Sequence, residues 1–290
     1  MQWVMLCCAT GGIFAQNVLM KAFTNGKRLS LFSVVLYNLL LACGALALFF
    51  LVQAATGTAV AFHLPTVLYA LAFSACFTGS IFFSTLAVAC GPMAVSALFI
   101  QYSLILPTLF GVVFCRERLG VLAGIGVLLL FVSLLLTESP KRAAGGRRWL
   151  LYILLAFVGN GMCSVLQKLH QLRYPGQYRF ELLECSMLGV ILLSALLLIP
   201  LRRTAAERPA ALCRSAARYA LPAGLCNGIV NYLVVVLVNR MAASVIFPVI
   251  TAGGVVLTFL VSQLVYREKL RVGQYVGYAL GVLSVVLLNL

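Results

Sequence analysis

The segment from Met93-Ala94-Val95-Ser96 to Arg116-Glu117-Arg118-Leu119 is an apolar stretch of helix length that ends in a charged motif. The same arrangement returns from Met241-Ala242-Ala243-Ser244 to Arg267-Glu268-Lys269-Leu270. Another apolar stretch follows each copy. The distance between the two copies indicates that the chain consists of two related halves.

The composition indicates that both halves lie in a membrane. Of the 290 residues, 63% are hydrophobic and 9% are charged, whereas a soluble domain is about half apolar and a quarter charged. Ten apolar stretches approach or exceed the roughly 20 residues that a helix needs to cross a bilayer. They are residues 2–23, 30–52, 65–89, 92–114, 120–137, 149–170, 180–200, 216–239, 242–265 and 272–290. Their runs are continuous, which excludes the alternation of a membrane β-barrel.

A polar segment at 139–148 divides these stretches five and five. It holds a proline, paired glycines and paired basic residues, which is typical of a linker. The sequence therefore predicts an all-α polytopic membrane protein of ten transmembrane helices, with one five-helix repeat at 1–138 and another at 149–290. Because five is odd, the second repeat enters the membrane from the opposite side, and the repeats are inverted. We expect the first stretch to be a membrane helix, because no basic segment of a signal peptide precedes it.

Basic residues predict the orientation. The net charge is +15, with 21 Lys and Arg and only six acids, all of them Glu. Connections 1–2, 3–4, 5–6, 7–8 and 9–10 carry 15 of the 21 basic residues, and the other four connections carry 6. The positive-inside rule then predicts a multi-pass protein of a bacterial-type cytoplasmic membrane with both termini outside.

The sequence lacks the residue patterns of several other functions. Its ten cysteines form no C-x-x-C pair, and His63 and His170 lack metal-ligand spacing. It has no P-loop, no RNA-binding motif, no long basic tract and no catalytic constellation. We therefore expect no metal, no cofactor, no catalytic residue, no nucleic-acid partner and no enzymatic activity.

Two Glu-x-Leu segments with following glycines, Glu117/Leu119/Gly124 and Glu268/Leu270/Gly277, resemble those of the drug/metabolite transporter superfamily, in its ten-helix EamA-like type. Asn17-Val18-Leu19-Met20-Lys21 is similar to the family's Asn-x-x-x-Lys in the first helix. The last two stretches are distantly similar to the small multidrug resistance proteins. The resemblance implies a secondary active transporter that moves a small organic metabolite by alternating access, with a central polar site between the repeats.

The chain departs from the small multidrug resistance proteins at their functional positions. Where their first helix carries a proton-exchanging Glu, this chain has Ile13 and, in the second repeat, Asn160. Ile250 stands where they have a substrate-contacting Trp. The resemblance therefore does not imply their exchange of protons for cations. EamA-like members also commonly have both termini inside, whereas the charge bias here predicts the reverse.

Polar side chains within the apolar stretches are the candidates for a substrate site, because polar groups in a bilayer are costly. They would bond a polar solute without fixed charge; the alternative is that they bond one another and hold helices together. The candidates are Asn17, Tyr37, Asn38, Gln101, Tyr102, Asn160, Asn227, Asn231 and Tyr232. Asn227 and Asn231 share one helix face, and for this pair substrate binding is the favoured interpretation.

Glu184 is the candidate for proton coupling, because it lies one turn inside the seventh stretch. Its alternative is a helix-start acid that the macrodipole favours and that pairs with Arg179 or Lys168. Glu117 and Glu268 are expected to form salt bridges or caps at a membrane face, with a gate as the alternative.

Pro248, Gly253 and Gly254 in the ninth stretch are the hinge candidates. A proline frees a backbone carbonyl, and small residues allow close approach of helices. A plain kink is the alternative.

The sequence favours a transporter whose partners are the lipid bilayer and a small organic solute. The alternative is a flippase for a lipid-linked or amphiphilic substrate, whose headgroup would bind basic residues between the seventh and eighth stretches. A monomer and a homodimer both stay open.

Overall fold

The computed structural model describes residues 2–25, 30–59, 61–91, 93–103, 105–115, 120–137, 146–202, 209–238, 240, 243–265 and 272–287. Within these residues the chain forms helices and connecting segments, with no strand. The helices are α1 (Gln2–Thr24), α2 (Leu31–Thr56), α3 (Leu64–Cys90), α4 (Met93–Tyr102), α5 (Ile105–Cys115), α6 (Val121–Thr137), α7 (Gly146–Arg173), α8 (Arg179–Leu201), α9 (Pro209–Val238), α10 (Ala243–Leu264) and α11 (Val272–Leu287). Glu117, Glu268 and the first part of the predicted linker lie outside the described residues.

The helices follow the apolar stretches, except that the fourth stretch forms two helices, α4 and α5. Pro107 explains the interruption, because it has no N–H to donate to the carbonyl of Ser103. The Leu106 amide donates to the Ser103 carbonyl instead, at 3.0 Å, and the Ser103 amide donates to Ile100 at 3.1 Å. These are tighter turns of the i to i−3 type. In addition, α7 begins at Gly146, inside the segment predicted as linker.

Six of the described helices are long and apolar enough to cross a bilayer: α1, α2, α3, α7, α8 and the Leu212–Leu237 part of α9. Their outer faces carry large exposed hydrophobic side chains. On α8, for example, Leu192, Leu196 and Ile199 are 64%, 63% and 70% exposed. Exposed apolar rows of this kind are unusual on soluble monomers and suit a surface in contact with lipid.

The helices pack closely where glycines remove the side chain between two backbones. Helix α2 lies against α8 and α9, α3 against α7 and α8, α1 against α9 and α10, and α6 against α11. At the crossing of α2 and α9, a Cβ added to Gly44 would lie 2.5 Å from the Leu221 carbonyl oxygen. A Cβ added to Gly224 would overlap the Leu41 carbonyl oxygen. Small residues at such crossings are typical of membrane helices, whose association depends on close packing.

We predict that Gly224→Ala destabilises the protein, because its new methyl group would meet backbone atoms of α2, including the Ala45 nitrogen at 3.0 Å. Overpacking of this kind costs about 1–3 kcal/mol. The matched control is Gly79→Ala, where nothing lies within 4 Å of the added Cβ. Unfolding of the two purified variants in detergent measures the difference. Equal stability of both variants would contradict the packing at this crossing.

Candidate functional site

A partly open cavity of about 120 Å³ lies among six helices. Helices α1, α3 and α4 come from the first half of the chain, and α7, α9 and α10 come from the second. No charged side chain is among the described residues that line it. The lining residues are Ile13, Gln16, Asn17, Met20, Phe73, Phe77, Ser80, Ile81, Ser84, Ile100, Asn160, Cys163, Ser164, Gln167, Asn227, Val230, Asn231, Val234 and Ile250.

Four side-chain amides form a continuous hydrogen-bonded chain along this cavity, which we call the amide chain. Gln167 Nε2 donates to Asn231 Oδ1 at 2.9 Å, Asn231 Nδ2 donates to Asn227 Oδ1 at 3.0 Å, and Asn227 Nδ2 donates to Gln16 Oε1 at 3.1 Å. The amide chain therefore connects α7, α9 and α1. Asn227 and Asn231 occupy successive turns of one face of α9, as their spacing predicts.

A backbone carbonyl determines the direction of the amide chain. Asn231 Nδ2 also donates to the backbone oxygen of Asn227 at 3.0 Å. Because a carbonyl oxygen can only accept, the nitrogen of Asn231 must face it, and Asn231 Oδ1 then faces Gln167. The orientation of the other amides follows. The chain thus ends in a donor, Gln16 Nε2, and in an acceptor, Gln167 Oε1.

Asn160 lies in the cavity wall at the interruption between α4 and α5. Its Nδ2 donates to Ser103 Oγ at 2.7 Å and lies 3.5 Å from the Ile100 carbonyl oxygen. Helix α7 comes close to this interruption, since a Cβ on Gly161 would lie 2.7 Å from the Ser103 carbonyl oxygen. Irregular backbone in a membrane protein is tolerated where protein groups satisfy it, and the Asn160 amide, close to the Ile100 carbonyl oxygen, is such a group.

Three other candidates lie outside this cavity, in contacts between helices. Tyr37 is fully buried on α2, and its ring stacks on Phe23 at 4.7 Å between centroids. Asn38 Nδ2 donates to the Thr78 carbonyl oxygen at 3.2 Å and so joins α2 to α3. Tyr232 stacks on Phe180 of α8 at 5.8 Å.

Tyr102 and the hinge candidates also mark contacts between helices. The Tyr102 hydroxyl lies 2.7 Å from Ser133 Oγ and packs against Gly281 of α11. Gly253 packs against Thr10 of α1, so this position is a crossing of α10 and α1. Gly254 is buried in the same helix. Gln101 and Pro248 lie in α4 and α10, and their side chains are outside the described structure.

Glu184 is buried in α8 without lining the cavity, and its Oε1 has no hydrogen-bond partner. Its neighbour Glu181 differs, because Glu181 Oε1 accepts the Ala61 amide at 2.7 Å. Leu183 and Met187, on either side of Glu184 along the chain, belong to one buried cluster with Phe77, which does line the cavity. Glu184 is therefore a buried acid outside the described lining of the cavity, and its chain neighbours belong to the same buried cluster as one lining residue.

Sequence reasoning named Asn17, Asn160, Asn227 and Asn231, and the structure brings these four together in the cavity wall. Sequence reasoning did not name Gln16 and Gln167, the two ends of the amide chain. Gln16 precedes Asn17, and Gln167 lies in Leu166-Gln167-Lys168, a triplet similar to Leu19-Met20-Lys21 in the first half, so the sequence offered a reason to consider both residues. The missed serines of the lining, Ser80, Ser84 and Ser164, gave no signal in the sequence.

Comparison with known proteins bears on the fold alone. No protein-family model and no curated protein sequence matches this chain. Among 27 solved chains that match, one described only as "Crystal structure of protein" covers 99% of this chain and 98% of its own length, with a TM-score of 0.70. Its sequence is 18% identical, so the likeness shows a shared fold and no function.

We predict energetic coupling between Asn160 and Ser103, measured with Asn160→Leu, Ser103→Ala and the double variant. An interhelical hydrogen bond in a membrane protein contributes about 0.6 kcal/mol on average and up to about 1.7 kcal/mol. The coupling free energy of unfolding in mixed micelles should fall in this range. Ser103→Ala combined with Asn227→Leu is the control, and it should be additive because these residues share no bond. Additivity of the Asn160 pair would mean that the bond does not hold α7 to the interruption.

Proposed function

We propose that the chain is a secondary active transporter of the drug/metabolite transporter type, which moves a small organic solute across the cytoplasmic membrane by alternating access. The single observation that carries the proposal is the construction of the cavity from equivalent positions of the two halves. Alternating access in transporters of this class relies on such a central site between repeats.

The register of the two halves comes from Leu19-Met20-Lys21 against Leu166-Gln167-Lys168 and from Cys76 against Cys226. In that register, both members of eight equivalent pairs line the cavity. The pairs are Ile13 with Asn160, Gln16 with Cys163, Asn17 with Ser164, Met20 with Gln167, Phe77 with Asn227, Ser80 with Val230, Ile81 with Asn231, and Ser84 with Val234. This agreement supports a pseudo-twofold axis that passes through the cavity.

Close helix crossings repeat in the same register. A Cβ on Gly12 of α1 would lie 3.2 Å from the Cys226 carbonyl oxygen of α9, and a Cβ on Gly159 of α7 would lie 2.9 Å from the Cys76 carbonyl oxygen of α3. Each half therefore contributes the partner for the other half's first helix. Exchanged packing of this kind supports two interlocked repeats.

Contacts at one end of the helices support the inverted topology. The Glu181 side chain bonds the Ala61 amide, and the His63 ring stacks on Tyr178 at 4.2 Å between centroids. The α2–α3 and α7–α8 connections therefore lie at the same face. For both connections to lie at one face, the segment from α3 to α7 must cross the membrane an even number of times. It does so if α4 and α5 together form a single crossing. These contacts support the proposed ten crossings in two inverted repeats, and the charge bias favours both termini outside.

The transport proposal is tested by uptake of radiolabelled single-ring solutes, neutral, anionic and cationic, into proteoliposomes with and without a pH gradient. We expect at least one solute class to accumulate and a pH gradient to speed its uptake. Glu184→Gln should lose that response, because the buried carboxyl with an unpartnered oxygen is the proposed proton carrier. Glu181→Gln is the matched control and should keep the response, since Glu181 bonds the backbone of the α2–α3 connection.

The outcomes of this experiment distinguish proton coupling by Glu184, solute transport and lipid translocation. A gradient response that persists in Glu184→Gln would refute the role of Glu184 in proton coupling and leave the transport proposal standing. If no water-soluble class moves, but a polyprenyl phosphate crosses between leaflets, the chain is a flippase and not a solute transporter.

The proposed orientation predicts that Cys213, exposed near the start of α9, faces the cytoplasm. A membrane-impermeant maleimide should label Cys213 only after permeabilisation of the cells. The signal is assigned by its loss in Cys213→Ser. Labelling of Cys213 on intact cells would reverse the topology.

A further inference from the structure

We propose that the cavity selects an uncharged solute of about one ring that carries both a carbonyl acceptor and an N–H donor, as carboxamides and lactams do. The ends of the amide chain recognise these two groups. This inference rests on the proposed transport function, because it names the class of solute that the same cavity would hold.

The lining of the cavity is the reason to expect an uncharged solute. No charged side chain is among the described residues of the wall, which consists of amides, serines and a cysteine with aliphatic and aromatic groups. Moving an unpaired ion into such surroundings costs far more than moving a neutral polar group that is hydrogen-bonded there. A charged solute would therefore enter at a large disadvantage.

The size of the cavity limits the solute to about one ring. Its volume of about 120 Å³ is of the same order as the roughly 150 Å³ of an apolar protein cavity that accommodates benzene, so a second ring would not fit. Phe73 and Phe77 of α3 form part of the wall. Aromatic faces pack well against a flat ring, which favours planar solutes over branched ones.

The direction of the amide chain is the reason to expect both an acceptor and a donor on the solute. Because the Asn227 backbone oxygen orients Asn231, the chain must present Gln16 Nε2 as a donor and Gln167 Oε1 as an acceptor. A carboxylate satisfies only the donor end, and an ammonium group satisfies only the acceptor end. A carboxamide carries both an acceptor and a donor, so it is the one group of the three whose hydrogen-bonding capacity matches both ends.

Binding of three molecules of similar shape to the detergent-purified protein tests this inference: benzamide, benzoate and benzylammonium. We expect benzamide to bind about tenfold or more tightly than either ion, because each unpaired buried polar group carries a penalty. Equal or tighter binding of benzoate or benzylammonium would overturn the proposal, and so would the absence of benzamide binding.

Gln16→Glu tests the donor end of the amide chain directly. The new carboxylate still accepts from Asn227 Nδ2, so the amide chain is kept and only its free donor becomes an acceptor. We expect benzamide binding to fall about tenfold and benzylammonium binding to rise above it. Gln177→Glu places the same change on an exposed turn and should leave all three affinities unaltered. An unchanged preference in Gln16→Glu, with unfolding confirming a folded protein, would overturn the role of Gln16.

Transport is measured separately in proteoliposomes, so that the two proposals fail differently. Benzamide that binds but is not carried would refute transport and leave the solute class standing. Uptake of only charged solutes would support transport and refute the solute class.

Discussion

A polar group inside a bilayer has no water to bond, and the centre of this structure follows from that constraint. The amide chain satisfies polar groups of α1, α7 and α9 with one another: α1 and α7 each bond α9, and α9 bonds both. Gln167 and Asn227 are almost completely buried, where an unpaired amide would be costly. The same bonds leave one donor and one acceptor at the cavity, which makes it polar without making it charged.

Glycines allow the helices to come close enough for these bonds. Gly12 lies one helical turn before Gln16, and it brings α1 against the Cys226 carbonyl of α9. Asn227, the next residue on α9, then reaches Gln16 at 3.1 Å. On α7, Gly159 and Gly161 flank Asn160, which bonds the interruption between α4 and α5. Backbone approach and side-chain polarity are thus two parts of one arrangement.

Hydropathy predicted the helices well, because the lipid interior selects long apolar runs regardless of their packing. It did not predict the interruption at Ser103, which depends on how Pro107 alters the hydrogen bonds of one turn. In the site, the spacing of Asn227 and Asn231 ensured a shared face, whatever that face contacts. Tyr37 shows the limit of such reasoning. A polar residue in mid-helix faces a cavity or a neighbour according to the rotation of the helix, and only packing determines that rotation.

The two halves share positions but not chemistry, and this asymmetry bears on the proposed mechanism. In the proposed register, Asn227 and Asn231 are equivalent to Phe77 and Ile81 in the first half, so the amide chain has no counterpart across the proposed pseudo-twofold axis. If the halves exchange their packing during transport, one closed state is held by directional amide bonds and the other by apolar contacts. Hydrogen bonds weaken steeply when their angle departs from linear, whereas apolar contacts have no such directional requirement. The two openings would therefore differ in energy and rate, and a solute that replaces the bonds at the chain ends would favour one of them over the other.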